Sequence, residues 1–474
     1  MLTRLKVAGF KNLLDVDVRF GPFTCILGPN GVGKSNLFDA IHFLSLLADR
    51  PLVEAAAAVR DSGRKARDIL GLFYRSGEYI APQMDFEMEL LVPQTAVDDF
   101  GQVAHATITL LRYSLSIGHR DTSIGSTNDQ LILLKEELTH IPLGKAKESL
   151  IFEYSKEWRK SVVTGEHRAP FFISTDSNSR TVKIHQDGGG RGRPLSYQLD
   201  NLKRTVLAAS NAAESPTVLV LRREMQSWLQ LQLEPSSLRQ ADEYTDAPYL
   251  TASGEHVPAT LDRLARLNPA TFNATLANRL AELVGGVKNI YADRDDSRQL
   301  ISAYLTFADG TPHPASSLSD GTLRFMALAI LEQDPEFHGL LCLEEPENGI
   351  HPERIPVMIR LLSDLAMDAS IPVGSDNPLR QVIVNTHSPV CAAEVQESDL
   401  LSAQPAMVER MGLQVPTIRF DALTSTWRTN HGGRSILKGD LLRYLRPIAK
   451  TSPRGGRVAD RAHIQTELDF VEAS

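Results

Sequence analysis

The stretch Leu318-Ser-Asp-Gly-Thr-Leu-Arg-Phe325, a run of helical character, and then Gly339-Leu-Leu-Cys-Leu-Glu-Glu-Pro-Glu-Asn-Gly-Ile-His-Pro352 decides how the rest of the chain is read. Ser319-Asp320-Gly321-Thr322 is a small polar loop opening onto a helix. Successive N–H groups there, backed by the helix dipole, form an anion site. Leu340 to Leu343 is an apolar run short enough for a fully buried strand, and it ends in Glu344 and Glu345. Neighbouring side chains on a strand point to opposite faces, so the two acids are expected to serve different tasks. One can hold a metal while the other faces an attacking water. The same residues also fit a strand that ends in a solvated acidic turn.

A second stretch weighs against the solvated turn. Gly28-Pro-Asn-Gly-Val-Gly-Lys-Ser35 fits G-x-x-x-x-G-K-[ST], with an apolar run (Phe23 to Leu27) before it and a helix-like run (Asn36 to Leu47) after it. The glycines let the backbone wrap a phosphate, Lys34 supplies positive charge to the β- and γ-phosphates, and Ser35 offers an oxygen to Mg²⁺. A third stretch, Gln381-Val-Ile-Val-Asn-Thr-His-Ser-Pro389, is an apolar strand delivering His387 at its end. Strand ends are where open parallel sheets bind ligands.

Together these motifs resemble the ABC-type ATPases of the RecF/SMC/OLD group, nearest to the short RecF- and OLD-like ATPases of DNA repair and anti-phage defence. The resemblance covers both ends of the chain to about Ser398 and matches the middle loosely. It implies an α/β fold: an ABC-type P-loop ATPase head with a mixed-sheet core, an antiparallel β lobe and a largely helical insertion. The expected division is 1–117 for the first part of the head and 118–285 for a mixed, partly helical insertion. Residues 286–400 then form the second part of the head, and 401–474 a basic C-terminal region.

The resemblance also implies roles. ATP and Mg²⁺ are the expected cofactors, with Ser35 and Glu344 at the metal, Glu345 on the water and His387 at the γ-phosphate. Asn30, Gly31, Gly33, Lys34, Ser35 and Asn36 are the expected nucleotide contacts of the P-loop. Ser319 and Gly321 are expected to reach the γ-phosphate of a nucleotide held by another copy, making the chain a homodimer or higher homo-oligomer. Glu344 stands where transporters usually carry Asp. In such proteins the hairpin of Met1 to Phe20 borders the nucleotide, so its break at Lys11-Asn12 reads either as two nucleotide contacts or as an ordinary exposed turn. Gln83 lies in the region of a metal-associated glutamine, but nothing in the sequence fixes it there.

With 474 residues, 42% hydrophobic and 23% charged, the chain has room for two to four domain-sized units of ordinary soluble composition. No run approaches the ~20 apolar residues of a membrane span. The start, M-L-T-R-L-K-V-A-G-F, shows no signal-peptide core, and a cytoplasmic location without membrane contact is expected. The three cysteines, Cys25, Cys342 and Cys391, sit in core-like segments and read as small apolar residues. A net charge of −8 argues against an overall basic protein but leaves room for local basic patches. One surrounds Gly188 to Pro194 (Arg180, Lys183, Arg191, Arg193, Lys203, Arg204) and reads equally as phosphate contacts or a solvated face. Another spans Arg428 to Arg461, with nine basic residues against two acids, and favours a phosphate or an acidic partner. Val218 to Leu233 and Leu261 to Leu283 are expected to be helical, and Val287 to Ala292 and Leu300 to Phe307 to be strands.

The segment between the motifs is too short for long coiled-coil arms and lacks C-x-x-C; the C-terminal part lacks a D-x-D pair. Three function classes follow: a DNA-linked ATPase of defence or repair acting with a separate effector or nuclease and with DNA, an ATP-held scaffold or sensor with little hydrolysis, and a transporter ATPase subunit. The last is disfavoured by E-E-P-E-N in place of D-E-P and by S-D-G-T in place of S-G-G-Q.

Overall fold

The computed structural model describes residues 1–59, 69–119, 131–165, 171–187, 194–430, 433–437, 439 and 441. Its centre is a seven-stranded sheet in the order Leu229–Leu231, Gly339–Glu344, Arg380–Thr386, Phe23–Leu27, Leu400–Arg410, Leu413–Leu423, Ser435–Ile436. Neighbours among the first five strands run parallel. Every residue of Phe23–Leu27 and of Arg380–Thr386 is buried, as continuous apolar runs covered on both faces should be. Side chains of the P-loop strand alternate between two cores: Ile26 packs with the helix Lys34–Leu47, while Phe23, Cys25 and Leu27 face the helix Asp320–Gln333.

A second sheet of eight strands forms the β lobe, in the order Leu195–Gln198, Thr181–Ile184, Phe171–Asp176, Leu131–His140, Leu110–His119, Gln83–Leu91, Leu2–Ala8, Val16–Arg19. Its ladders are antiparallel, and its inner strands alternate buried and half-buried positions, the pattern of a sheet with one face on a core.

Two expected boundaries change. The stretch 118–285 is not one insertion: its first strands extend the lobe sheet, the helix Pro216–Gln226 packs against the P-loop helix, and Leu229–Leu231 adds an edge to the core sheet. Only from Pro235 onward does it form a separate layer. There the helices Val257–Leu267 and Phe272–Leu283 cover the signature helix beside a small sheet ordered Asp242–Glu243, Leu300–Phe307, Val287–Asp295. Likewise the core does not stop at 400, because Leu400–Arg410 and Leu413–Leu423 pair into the central sheet. The expected helix to Leu233 ends at Gln226; Ser227 caps it, and Leu229 turns into strand.

Of the expected basic patches, Arg191, Arg193 and the tail residues Arg443, Arg446, Lys450, Arg454, Arg457 and Arg461 lie outside the described residues. Arg180 pairs with Asp200 and Lys183 with Asp176, so these two cations are internally matched. All three cysteines are free and buried, and burial pushes each thiol above its usual range. Among the described residues no helix is long and apolar enough to cross a membrane.

Candidate nucleotide site

Three motif loops leave adjacent parallel strands at the same end of the central sheet. Glu344 is aligned with Asn385 and Asn385 with Ile26, while Thr386 is aligned with Leu27. The P-loop, the acidic turn and the His387 loop therefore start side by side, at the carboxyl ends where open α/β sheets bind ligands.

The P-loop begins at Gly28, where an added Cβ would lie 2.7 Å from the Ala403 carbonyl. Gly31 and Gly33 take φ values of 78° and 107°, the left-handed region that favours glycine. Gly33 caps the helix Lys34–Leu47, so the helix N-terminus opens into the loop. Lys34 Nζ donates to the carbonyls of Gly28 (2.7 Å) and Pro29 (3.0 Å), which curls the ammonium back into the loop. Burial lowers the Lys34 pKa, opposed by the nearby carboxylates of Glu345, Glu344 and Glu347. Asn30 is exposed at the tip.

The expected contacts at Lys11 and Asn12 do more than form a turn. Asn12 Nδ2 donates to the Val32 carbonyl (2.9 Å) and Asn12 Oδ1 accepts from Asn36 Nδ2 (2.8 Å), clasping the P-loop from outside. A Cβ on Gly33 would come within 1.9 Å of Asn12 Nδ2. Lys11, at φ 46°, pairs with buried Asp39 on the P-loop helix at 2.8 Å. Lys11, Asn12, Gly31 and Asn36 form one wall of an open groove of about 610 Å³ bordered by Arg75, Pro405 and Pro416. That is ample room for a nucleoside.

At the acidic turn Ser35 Oγ donates to Glu344 Oε2 at 2.6 Å. These two hard oxygens beside a phosphate loop suit Mg²⁺, which takes few protein carboxylates and oxygen ligands from its substrate. Glu345 takes a different direction, but not for the strand-alternation reason expected from sequence. The strand ends at Glu344, and Glu345 enters a turn at φ 47°. There its Oε1 meets His387 Nδ1 at 2.9 Å and its Oε2 accepts from Asn348 Nδ2 at 2.8 Å.

Sequence reasoning passed over Glu347, which accepts a short hydrogen bond from Thr386 Oγ1. Thr386 Oγ1 in turn accepts from the Ser388 amide at 2.8 Å, so the acidic turn and the His387 loop are linked through buried Thr386 and half-buried Glu347. Asn385 Nδ2 and Glu347 Oε2 are buried beside this link without a protein partner. The repeated acid of E-E-P-E was the signal available for Glu347.

Ser319 caps the signature helix, accepting from the Thr322 amide at 3.3 Å. Gly321 is required by close approach: a Cβ there would lie 2.4 Å from the Gly349 carbonyl of the acidic turn. The signature loop thus contacts the back of that turn, and Ser319 and Asp320 are exposed. Arg239 fastens the loop, with Nη2 on the Leu318 carbonyl (2.9 Å) and an ion pair to Asp320. No motif marked Arg239 in the sequence. Gln83 is turned away to Asp85, donating to both carboxylate oxygens at 2.9 Å.

A phosphate loop, an acidic strand end and a histidine loop on a mixed sheet with an antiparallel lobe define an ABC-type P-loop ATPase of the RecF/SMC/OLD type. The chain belongs to the AAA-domain family described as "AAA domain, putative AbiEii toxin, Type IV TA system", whose profile matches residues 145–392. A second AAA-domain profile matches residues 4–48. Among curated proteins it is similar to the DNA replication and repair protein RecF of Magnetococcus marinus, 31% identical over 141 residues (28% of this chain, 32% of that protein). It is also similar to RecF of Parabacteroides distasonis, 50% identical over 46 residues (10% of this chain, 13% of that protein). The OLD nuclease of Thermus scotoductus is 51% identical over 44 residues (9% of this chain, 8% of that protein). The match therefore spans a third or less of each relative's length. Among solved structures, an Smc head bound to the C-winged helix domain of ScpA overlays with a TM-score of 0.45 at 13% identity, covering 89% of this chain and 98% of that one.

Proposed function

We propose that the protein is an ATP-hydrolysing switch, closed by the signature loop of a second copy, that controls a DNA-linked process through a separate effector or nuclease. The observation that carries the ATPase reading is the convergence on one sheet edge of Lys34, the Ser35–Glu344 pair and the Glu345–His387 pair. Phosphoryl transfer needs positioning and charge stabilisation more than covalent chemistry, and these groups supply both. Lys34 and the amides of the P-loop hold the β- and γ-phosphates. Ser35 and Glu344 would hold Mg²⁺, which would neutralise phosphate charge. Glu345, steadied by Asn348, orients the attacking water, and His387 faces the γ-phosphate side of the loop.

Ser319 and Asp320 are exposed at a helix end, with Gly321 buried just behind them against the acidic turn and Arg239 paired to Asp320. That placement supports their use by a P-loop on another copy. The DNA-linked role, in anti-phage defence or repair, rests on the names of the relatives and on the basic tail. The test is nucleotide binding and phosphate release by wild type, Lys34→Ala and Ser319→Arg, with and without DNA. Lys34→Ala should lose binding. Ser319→Arg should bind ATP yet fail to hydrolyse it or to close. Turnover by Ser319→Arg at the wild-type rate would refute the shared site.

The scaffold reading has one observation in its favour. Both Glu345 oxygens are engaged, by His387 and Asn348, contacts that an attacking water would have to share.

A further inference from the structure

We propose that Arg239 is the positive charge that the signature loop carries to the γ-phosphate of a nucleotide held by a second copy, with Asp320 as its resting partner. The inference rests on the shared site proposed above. It starts from Asp320, an exposed carboxylate in the first turn of the signature helix, between Ser319 and Gly321. Within one chain an acid at that place is favoured by the helix dipole. Brought against a triphosphate, however, it becomes a like charge at short range.

The structure holds the counter-charge. Arg239 follows the short helix Pro235–Leu238; its Nη1 donates to the Pro235 carbonyl at 3.1 Å and its Nη2 to the Leu318 carbonyl at 2.9 Å. Two carbonyls thus fix the plane of the guanidinium, and Asp320 is its anionic contact. That contact is partly exposed on both sides, at 31% and 51%, so its exchange for a phosphate oxygen gives up a solvent-screened pair. A guanidinium fork already oriented matches phosphate oxygens two at a time. In the reaction water bonds to the γ-phosphorus, the bond to the bridging oxygen breaks, and negative charge spreads over the equatorial oxygens. Arg239 stabilises that charge and exchanges neither proton nor electron.

The test combines single variants with mixing. Arg239→Ala should bind ATP within about threefold of wild type and turn over slower by roughly 10³-fold or more, the scale of an arginine supplied in trans. Arg239→Lys, with the charge but not the fork, should fall between. Arg239→Gln, which keeps a donor for the Pro235 or Leu318 carbonyl, replaces the alanine variant if that one unfolds. Co-expressed Arg239→Ala and Lys34→Ala chains should regain activity that neither has alone, because a mixed dimer contains one site with both halves intact. The pair Ser319→Arg with Lys34→Ala is the control. If the control pair regains activity and the Arg239 pair does not, Arg239 acts only inside its own chain and the inference falls while the shared site stands. If neither pair regains activity, the shared site itself fails. Arg239→Ala turning over at the wild-type rate would also overturn the inference.

Discussion

Replacing Glu345 by Gln changes one oxygen to an amide and nothing in volume, so its effect can be worked out bond by bond. In the wild type Oε1 faces His387 Nδ1 at 2.9 Å and Oε2 accepts from Asn348 Nδ2 at 2.8 Å. Glutamine can still accept from Asn348 through its carbonyl. Its NH₂ then faces His387, which must offer a bare Nδ1 and carry its proton on Nε2. Both local contacts survive, at most one neutral hydrogen bond weaker, so folding stability should move by no more than about 1 kcal/mol. What is lost is the negative charge that orients the attacking water. General-base positioning alone contributes roughly 10² to 10⁴ in rate, or about 3 to 5 kcal/mol of barrier. Glu345→Gln should therefore bind ATP like wild type, show an unchanged melting temperature, and release phosphate at least about 100-fold more slowly in single turnover. Calorimetry and a phosphate-release assay measure the two halves. Phosphate release within about threefold of wild type would refute the role given to Glu345, because the structure offers no other consequence large enough to be masked.

Other perturbations test the frame around the site. Asn12→Ala removes the clasp to Val32 and Asn36, worth about 1 kcal/mol per hydrogen bond, and should weaken ATP binding by ~10-fold in calorimetry. Gly321→Ala drives a Cβ into the Gly349 carbonyl, should lower stability by about 1 to 3 kcal/mol in urea unfolding, and should slow hydrolysis more than it weakens ATP binding. Glu136 is fully buried, with burial raising its pKa to about 7 despite hydrogen bonds from Val206, Leu207 and Tyr113. A raised carboxyl pKa means the folded state binds the extra proton, so its contribution is present below the unfolded pKa and lost as pH rises to about 7. The urea midpoint should fall between pH 5 and 7, and less steeply in Glu136→Gln. Reversing charge at Arg443 and Arg446 should weaken DNA binding, and the remaining binding should depend less steeply on salt, while basal ATP hydrolysis is spared.

The motif loops were legible because each joins an unbroken apolar run to residues with little freedom. Phe23–Leu27 leads into a loop that needs glycine at φ 78° and 107°, and Gly339–Glu344 and Arg380–Thr386 are buried from end to end but for Glu344. Periodicity failed where an element is too short to show one. Leu229–Leu231 is three residues of edge strand directly behind a helix, and Leu229 continues the helical spacing of Leu221 and Met225. The hairpin Leu400–Leu423 was lost for the opposite reason: its far half exposes Met407, Met411 and Leu413, so the apolar pattern breaks before the pairing does. Glu345 was given its direction by strand alternation, but a left-handed turn supplies it, and no residue-type rule places Glu at φ 47°. Arg239 could not be found at all, because an arginine meeting Leu318 and Asp320 from a distant segment leaves no local pattern.

The same contacts explain why one chain could register the state of two nucleotides. The turn from Glu345 to Gly349 touches both working surfaces. On one side Glu347 and Glu345 hold Thr386 and His387, at the strand end beside this chain's own P-loop. On the other side the Gly349 carbonyl occupies the space that a Cβ on Gly321 would need, at the start of the helix Asp320–Gln333. In the proposed shared site, a change in how Glu345 and His387 engage phosphate would have a short path, five residues of one turn, to the loop at Ser319.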